Sequence, residues 1–401
     1  MFLDGNDKLL SLDANSLYAS AMAQINVFPD IWSAQIVINP ESLPKSPKMY
    51  IANCDVWLPE ELCFIPVPYK NDDFQGSRYC VGYLKNQFYC DIDINEIIRC
   101  GGKITKIHSI IIFHNYIDNP FVKDIKEWYA WRVEAKAQNN SVVDALEKLN
   151  MVSIFGKTVC RDINEHYKFV SMDKFTNKGI PSDTLVDWET LPNNQVLIKT
   201  KDLKIQESGS SFPSILGIYI LAYSRAIMNS FVDAIDGWRH PKIFYTDTDS
   251  LYMREEDAEI LNKCGMVGEE LGQVKSETAP HYIKQAIFLG PKQKFLVLSD
   301  GSTKISFKGI DFKSQESLTL DNFLYLAKRQ ENKNILSEKD EGLKTNIQRF
   351  QRSFKNGITL GNITKKINGD KYIDKMNITN KTLNGNTYSS FTPIKIHTDT
   401  I

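Results

Sequence analysis

The chain has 401 residues, 42% of them hydrophobic, and lysine plus arginine (48) nearly cancel aspartate plus glutamate (49). That length and apolar content exclude a small disulfide-stapled scaffold and a disordered tail, and they leave room for two or three domains. The near-zero charge balance excludes a polyanion binder that works through overall charge. One segment is different: residues 342–381 carry nine basic side chains against two acidic ones, a basic stretch beside an acidic remainder.

The N-terminus, MFLDGNDKLL, lacks the basic and apolar pattern of a leader. No apolar run approaches the roughly 20 residues of a membrane span, so an intracellular protein without membrane contact is expected, its compartment unknown. Five of the seven cysteines fall between Cys54 and Cys100, at spacings of nine, seventeen, ten and ten. With no C-x-x-C pair, reduced thiols are expected rather than a zinc site.

In chain order, Lys8 to Leu12 reads as a strand ending in Asp13, with a turn or helix start at Asn15. Residues 50–115 read as β-rich. From Pro120 to Phe155 the apolar period becomes helical, giving two antiparallel helices joined at Asn139-Asn140. Ser141 with Asp144 resembles a capping box, and Gly156 is placed to end the second helix. Residues 158–205 return to β character, 214–232 form a buried helix, 242–253 a strand–turn–strand, 282–310 strands and 316–355 a helix. The final twenty residues are polar and read as a tail.

Three short stretches carry chemistry. In YTDTDS, Asp247 and Asp249 flank Thr248. On an extended strand the two carboxylates share a face, and their repulsion calls for water or a divalent cation. A plain hairpin turn of Asp, Thr and Ser explains the same residues. In SLDANSLYAS, Asp13 ends another apolar strand. Two acidic strand ends can serve one pair of Mg²⁺ ions about 3.5–4 Å apart, which clamp an in-line phosphoryl displacement. On the second helix of the pair, Lys148 and Phe155 lie two turns apart on one face, with Val152 between them. A lysine there suits a triphosphate, and it equally suits a surface lysine over ordinary core.

Together, DANSLY (13–18), KLNMVSIFG (148–156) and YTDTDS (245–250) resemble, in order and spacing, the motifs of family B DNA polymerases. The likeness is greatest to the protein-primed branch of phages, linear plasmids, viruses and virus-like transposons. It covers roughly residues 8–355, with IPVPYK and GPKQKFLV similar to further family segments. The resemblance implies an α+β right-hand polymerase with an antiparallel-sheet palm, helical fingers, β-rich insertions and a basic thumb. Palm parts would be 1–25 and 206–300, insertions 26–118 and 158–205, fingers 119–157, thumb 301–381 and tail 382–401. It implies template-directed DNA synthesis with two Mg²⁺ ions, Mn²⁺ being the alternative. The partners would be a DNA primer-template, dNTPs and a terminal priming protein. Asp13, Asp249 and the carbonyl of Ala14 would hold metal, with Asp247 in support. Tyr18, with Leu17 beside it, would lie under the nucleotide sugar. Lys148 and Lys136 would meet the triphosphate, and Phe155 the nascent base pair. Arg225 would hold the primer end, and Lys292, or Lys294 in the alternative register, would be the lysine of the K-x-Y segment. Ala19, Val152, Phe155 and Leu221 replace the family's usual proline, asparagine, tyrosine and threonine. No acidic cluster precedes Asp13, so an exonuclease is expected to be absent from this chain. The rival expectation is a catalytically impaired remnant that only binds DNA. A reverse transcriptase fits less well, because Thr248 separates aspartates that are adjacent there.

Overall fold

The computed structural model describes residues 2–45, 48–70, 77–160, 165–177, 184–201, 213–331, 343–353, 357–367, 377–383, 386–392 and 394–396. In chain order the elements are β1 (Phe2–Ala14), α1 (Leu17–Gln24), β2 (Val27–Pro29), β3 (Ala34–Ile38), β4 (Tyr50–Leu58), β5 (Cys80–Cys90), α2 (Asp91–Arg99), β6 (Lys103–Phe113), β7 (Tyr116–Asp118), α3 (Val122–Ala137) and α4 (Ser141–Thr158). Then follow β8 (Glu165–Ser171), α5 (Met172–Asn177), β9 (Leu185–Leu191), β10 (Gln195–Lys201), α6 (Ser214–Ala234), β11 (Ile243–Asp247), β12 (Ser250–Arg254), α7 (Glu255–Lys263), β13 (Val274–Ser276), β14 (Ile283–Gly290), β15 (Gln293–Leu298) and β16 (Thr303–Phe307). The last are α8 (Phe312–Gln315), α9 (Leu320–Glu331), β17 (Leu343–Ser353), β18 (Gly357–Ile367), β19 (Asn377–Leu383), β20 (Asn386–Thr392) and β21 (Ile394–Ile396).

Two compact units form: residues 1–21, 32–115 and 222–401, and residues 22–31 and 116–221. The first holds an antiparallel sheet ordered β11-β12-β1-β14-β15-β16, with β13 also on β1. Strand β14 is buried on both faces, and its alternation divides the core. Ala286 and Phe288 pack with Leu9, Tyr252 and Leu296, while Ile287 and Leu289 pack with Phe295, Phe323 and Leu326. A second sheet of this unit, β21-β5-β4-β6-β3, closes its own core with Cys54, Val56, Leu58 and Leu84 against Ile94 and Ile97 of α2. Its burial of four thiols agrees with reduced cysteines; burial pushes the Cys54 thiol up to about 12 and those of Cys80 and Cys100 up to about 11.

The second unit contains the α3–α4 hairpin and the sheet β8-β10-β9. Its turn is the Asn-Asn pair read from the sequence: Asn139 has φ +57°, a conformation asparagine tolerates. The cap is Asn140 rather than Ser141, because the Asn140 side chain accepts from the Val143 N–H at 3.2 Å. Asp144 is therefore free of capping and instead takes Arg132 Nε of α3 at 2.6 Å, stapling the hairpin. Helix α4 runs past Gly156 to Thr158.

Three further expectations are corrected. The β-rich 50–115 region contains a helix, α2, with Asp91 and Asp93 in its first turn and Arg99 in its last, signs that complement the helix dipole. Its apolar Ile94 and Ile97 lie on one buried face. The single helix expected over 316–355 is only α9, after which the chain pairs β17 with β18. Part of the basic 342–381 segment, including Lys355, Lys371 and Lys375, lies outside the described residues. Helix α6 is long and apolar enough to cross a bilayer by length and composition, with mean hydropathy 1.4, yet 56% of that stretch is buried inside the protein. Tyr219, Ile220, Phe231 and Val232 are fully covered, so α6 is accounted for as a core helix.

Candidate active site

Strand β1 lies between β12 on one side and β13 and β14 on the other. In this register Asp13 faces Ser250, the residue after Asp249. The Ala14 N–H donates to the Asp249 carbonyl at 2.8 Å. Two acidic residues 236 positions apart in sequence are thus tied together at neighbouring strand ends. Across β13, Asp13 faces Lys275 and Ala14 faces Val274.

Asp247 and Asp249 do not continue one extended strand, as the sharing of a face assumed. Strand β11 ends at Asp247, β12 begins at Ser250, and the Asp249 N–H donates to the Asp247 carbonyl at 2.8 Å. Between them Thr248 has φ +66°. A β-branched residue in that region is a genuine outlier, costing on the order of 1–2 kcal/mol. The hairpin turn and the candidate cation site of the sequence are therefore one and the same stretch rather than alternatives. Strain of this kind, kept at the midpoint of two carboxylates, is characteristic of sites where placement matters more than stability.

The loop after β1 is fixed from inside. Asn15, 3% exposed, donates its side-chain N–H groups to the carbonyls of Gly268 at 2.8 Å and Glu270 at 3.0 Å. Ser20 Oγ donates to the Asn15 carbonyl at 2.6 Å and accepts from the Gly272 N–H at 2.9 Å. Both residues are in the DANSLYAS stretch, and their polar side chains before a helix were the available signal. They hold the backbone that carries Asp13 and Ala14.

Tyr18 is half-buried on α1. Burial raises its hydroxyl pKa, and the negative charge of Asp249 and the nearby Tyr79 raise it further. Asp249 therefore acts electrostatically on Tyr18. Leu17 is different: it is 4% exposed, a core side chain, because the helix turns it inward. It is not placed to face a nucleotide.

Behind Asp247 stands an aromatic layer. Tyr245 stacks on Phe288 with centroids 4.5 Å apart, and both meet Tyr252 edge-on. Tyr245 Oη donates toward Asp247 Oδ2 at 3.4 Å and accepts from the Lys292 N–H at 2.8 Å. Burial, then the charge of Asp247, raises the Tyr245 hydroxyl pKa. Lys292 occupies the β14–β15 turn with φ +57°, so its backbone, held by Tyr245, is its tie to the site. Lys294 lies on β15, its ammonium bonded to Tyr252 Oη and 4.8 Å from that ring's centroid. Of the two registers for the K-x-Y lysine, the geometry gives Lys294 the side chain directed at the layer.

Arg225 is held by a carboxylate of the protein itself. Its Nε and Nη2 each donate to one oxygen of Asp93 on α2, both at 2.8 Å. Nothing in the sequence pairs residues 132 positions apart.

Lys136, Lys148 and Phe155 belong to the second unit. Lys148 is exposed on α4, as is Val152, whereas Phe155 is only 9% exposed; Lys136 is exposed in the last turn of α3. A Cβ added at Gly156 would meet nothing within 4 Å. Glycine inside a helix costs roughly 1 kcal/mol relative to alanine, and the described packing gives no reason for it there.

Among the described residues, no three His, Cys, Asp or Glu side chains gather as a metal-ligand group. The donor set is two carboxylates with main-chain oxygens. It fits Mg²⁺, which commonly takes one or two protein carboxylates and completes its shell with phosphate and water. It does not fit a resident zinc, which needs three or four protein ligands.

Comparison with known proteins bears on the family and the fold. Residues 4–236 match the family described as DNA polymerase type B, organellar and viral. A DNA polymerase of Kluyveromyces lactis is 28% identical over 238 residues, covering 53% of this chain and 22% of that protein. The fold is similar to Phi29 DNA polymerase complexed with primer-template DNA and incoming nucleotide substrates, with TM-score 0.64 at 15% identity. The complex with primer-template DNA alone gives TM-score 0.60. Each match covers 92% of this chain and 60% of that one. The chain thus spans about a fifth of the length of the curated relative and three-fifths of the solved structures.

Proposed function

The chain belongs to the organellar and viral type B DNA polymerases, and on that premise we propose that it carries out template-directed DNA synthesis. The 3′-hydroxyl of a primer attacks the α-phosphate of a dNTP; one phosphodiester bond forms, the α–β phosphoanhydride breaks, and pyrophosphate leaves. The observation that carries this reading is the joining of Asp13 and Asp249 at the ends of β1 and β12 around a strained hairpin.

Asp13 and Asp249 would hold Mg²⁺, or Mn²⁺, with the main chain of Ala14, and Asp247 would support them. When bound, the ions supply charge that acidifies the attacking hydroxyl and neutralises the leaving group. The remaining steps belong to the chain. Asn15 and Ser20 keep the Asp13 backbone in register. Tyr18 provides a rigid ring under the sugar, where a ribose 2′-hydroxyl would lose hydration without gaining a partner. Lys148 and Lys136 would meet the triphosphate, and Phe155 with the open flank of Gly156 would receive the base pair. Lys294 and the Lys292 turn buttress the Asp247 side. We assign the palm to 1–25 and 206–300 together with β16, which completes its sheet, the fingers to 119–157, the insertions to 26–118 and 158–205, and the thumb to the rest of 301–381; the expected tail 382–401 instead carries β20, paired with β19, and β21, paired with β5. The two sheet-bearing insertions support the protein-primed branch, in which a terminal-protein hydroxyl would replace the primer at initiation.

The test is extension of a primed template by the purified chain with Mg²⁺ and dNTPs. Extension in template order, lost on chelation and in Asp249→Asn, is expected. A folded parent that binds DNA without extending it would identify an impaired remnant.

A further inference from the structure

Strand β13 brings a cation into register with the carboxylate pair. Asp13 has Ser250 of β12 as its partner on one side and Lys275 of β13 on the other. Partners across an antiparallel pair carry their side chains on one face, with Cβ atoms about 5 Å apart. A lysine stem spans that gap, so Asp13 lies within reach of the Lys275 ammonium. The ammonium is held elsewhere: Nζ lies 3.5 Å from Glu269 Oε2, with side chains 33% and 72% exposed. Glu277, two positions after Lys275, instead accepts from Ser11 Oγ at 3.4 Å.

Glu269 is placed by a tightly bonded loop. The Gly268 N–H donates to the Val274 carbonyl and the Val274 N–H to the Met266 carbonyl, both at 2.9 Å. The Gln273 side chain spans the loop, donating to the Gly265 carbonyl at 2.9 Å and accepting from the Glu270 N–H at 3.0 Å. A Cβ at Gly268 would lie 2.2 Å from Gln273 Oε1, so a larger residue there would push out the side chain that ties the loop. Asn15 donates to the carbonyls of Gly268 and Glu270, the two residues that flank Glu269. The residue two after Asp13 therefore fixes the backbone on both sides of Glu269. The acid on the loop and the acid at the strand end belong to one hydrogen-bonded frame, with Lys275 between them.

An exposed ion pair of this kind adds little to stability. It does decide which carboxylate the ammonium stands against. A lysine against Asp13 opposes a divalent cation at the same carboxylate, and a lysine against Glu269 opposes it less.

We propose that Lys275 and Glu269 are a positioning pair that sets the cation affinity of the strand-end site: Lys275 competes with the divalent ion for Asp13, and Glu269 draws the ammonium aside. This rests on the reading of Asp13 as a metal-holding carboxylate. It gives the Asn15 loop a second task besides register, since the same hydrogen bonds place Glu269.

The experiment measures binding of Mg²⁺ alone by calorimetry, and of Mn²⁺ by electron paramagnetic resonance, without DNA or nucleotide and at low ionic strength. The proteins are the parent, Lys275→Met, Lys275→Arg, Glu269→Gln and the double variant Lys275→Met/Glu269→Gln. Lys275→Met is expected to lower the Kd about fivefold or more, the size of a screened unit charge acting on a divalent ion, and Lys275→Arg to leave it within about twofold. Glu269→Gln is expected to raise the Kd about threefold in the parent and to leave it unchanged in the Lys275→Met background, because Glu269 acts through the lysine. A Lys275→Met Kd within about twofold of the parent, or a Glu269→Gln effect that persists without the lysine, would overturn the proposal. Melting checks the fold of each variant, and Lys275→Gln, with the same expectations, replaces Lys275→Met if that variant does not fold. Parent binding that is absent, or that survives in both Asp13→Asn and Asp249→Asn, would defeat the metal reading and the proposal with it. Binding that those two variants abolish keeps the metal reading whatever Lys275 does, so the two failures are distinct.

Discussion

Two sets of carboxylates in the first unit are treated in opposite ways. Asp93 and Glu96 on α2 are almost completely covered, and each is matched: Asp93 by the fork of Arg225, Glu96 by Asn229 and Arg99. Asp13, Asp247 and Asp249 sit partly exposed at strand ends, placed beside one another across β1, β11 and β12. Burying a charge without a partner is expensive, so the first set reads as structure. The second set is gathered at strand ends on a hairpin strained at Thr248, and on the proposed reading it is where a divalent cation would be held. Burial alone does not separate structural from functional acids here; the identity of the neighbours does.

The contrast can be broken by substitution, and the largest effect belongs to the strand ends. Asp249→Asn is expected to lower the single-nucleotide insertion rate by about a thousandfold or more, several kcal/mol of transition-state stabilisation, while folding normally by circular dichroism. Next comes the matched set. Asp93→Ala leaves Arg225 half-buried without its carboxylate and is expected to destabilise the chain by about 3 kcal/mol, read by chemical denaturation; a loss below a tenth of that would mean the fork is ornamental. At the site's edge, Tyr18→Val is expected to keep dNTP insertion measurable and to raise rNTP over dNTP use at least tenfold, about 1.4 kcal/mol. An unchanged kcat/KM ratio in an active variant would remove Tyr18 as the sugar gate. The smallest effect is at the hairpin. Thr248→Gly relieves the left-handed backbone and is expected to stabilise by about 1 kcal/mol, yet to slow insertion because Asp249 is less firmly placed. A variant both more stable and faster would show the strain has no catalytic role.

What the sequence revealed follows the range of the interactions. Asp13 and the Asp247–Asp249 pair are legible because strand ends and turns are local chemistry. The Asn139-Asn140 turn is legible for the same reason, although the competition for the cap, won by Asn140 over Ser141, was not. Helix α2 was hidden because its tyrosine- and isoleucine-rich flanks carry β preference, and tertiary packing of Ile94 and Ile97 decides the outcome. The stretch 316–355 misled for a related reason: α9 is amphipathic, but the residues that follow pair as β17 and β18. The Arg225–Asp93 fork and the choice between Lys292 and Lys294 depend on contacts tens to hundreds of residues apart, which no local pattern encodes.

The central claim is that Asp13 and Asp249 are kept together for a cation and not for the fold. Melting of the parent, Asp13→Asn and Asp249→Asn, each with and without millimolar Mg²⁺, tests it most directly. The account predicts that without the metal both variants melt at or above the parent, since one of two neighbouring charges is gone, and that Mg²⁺ raises the parent alone, by linkage to binding. Variants that melt well below the parent, or that gain as much from Mg²⁺ as the parent does, would contradict it.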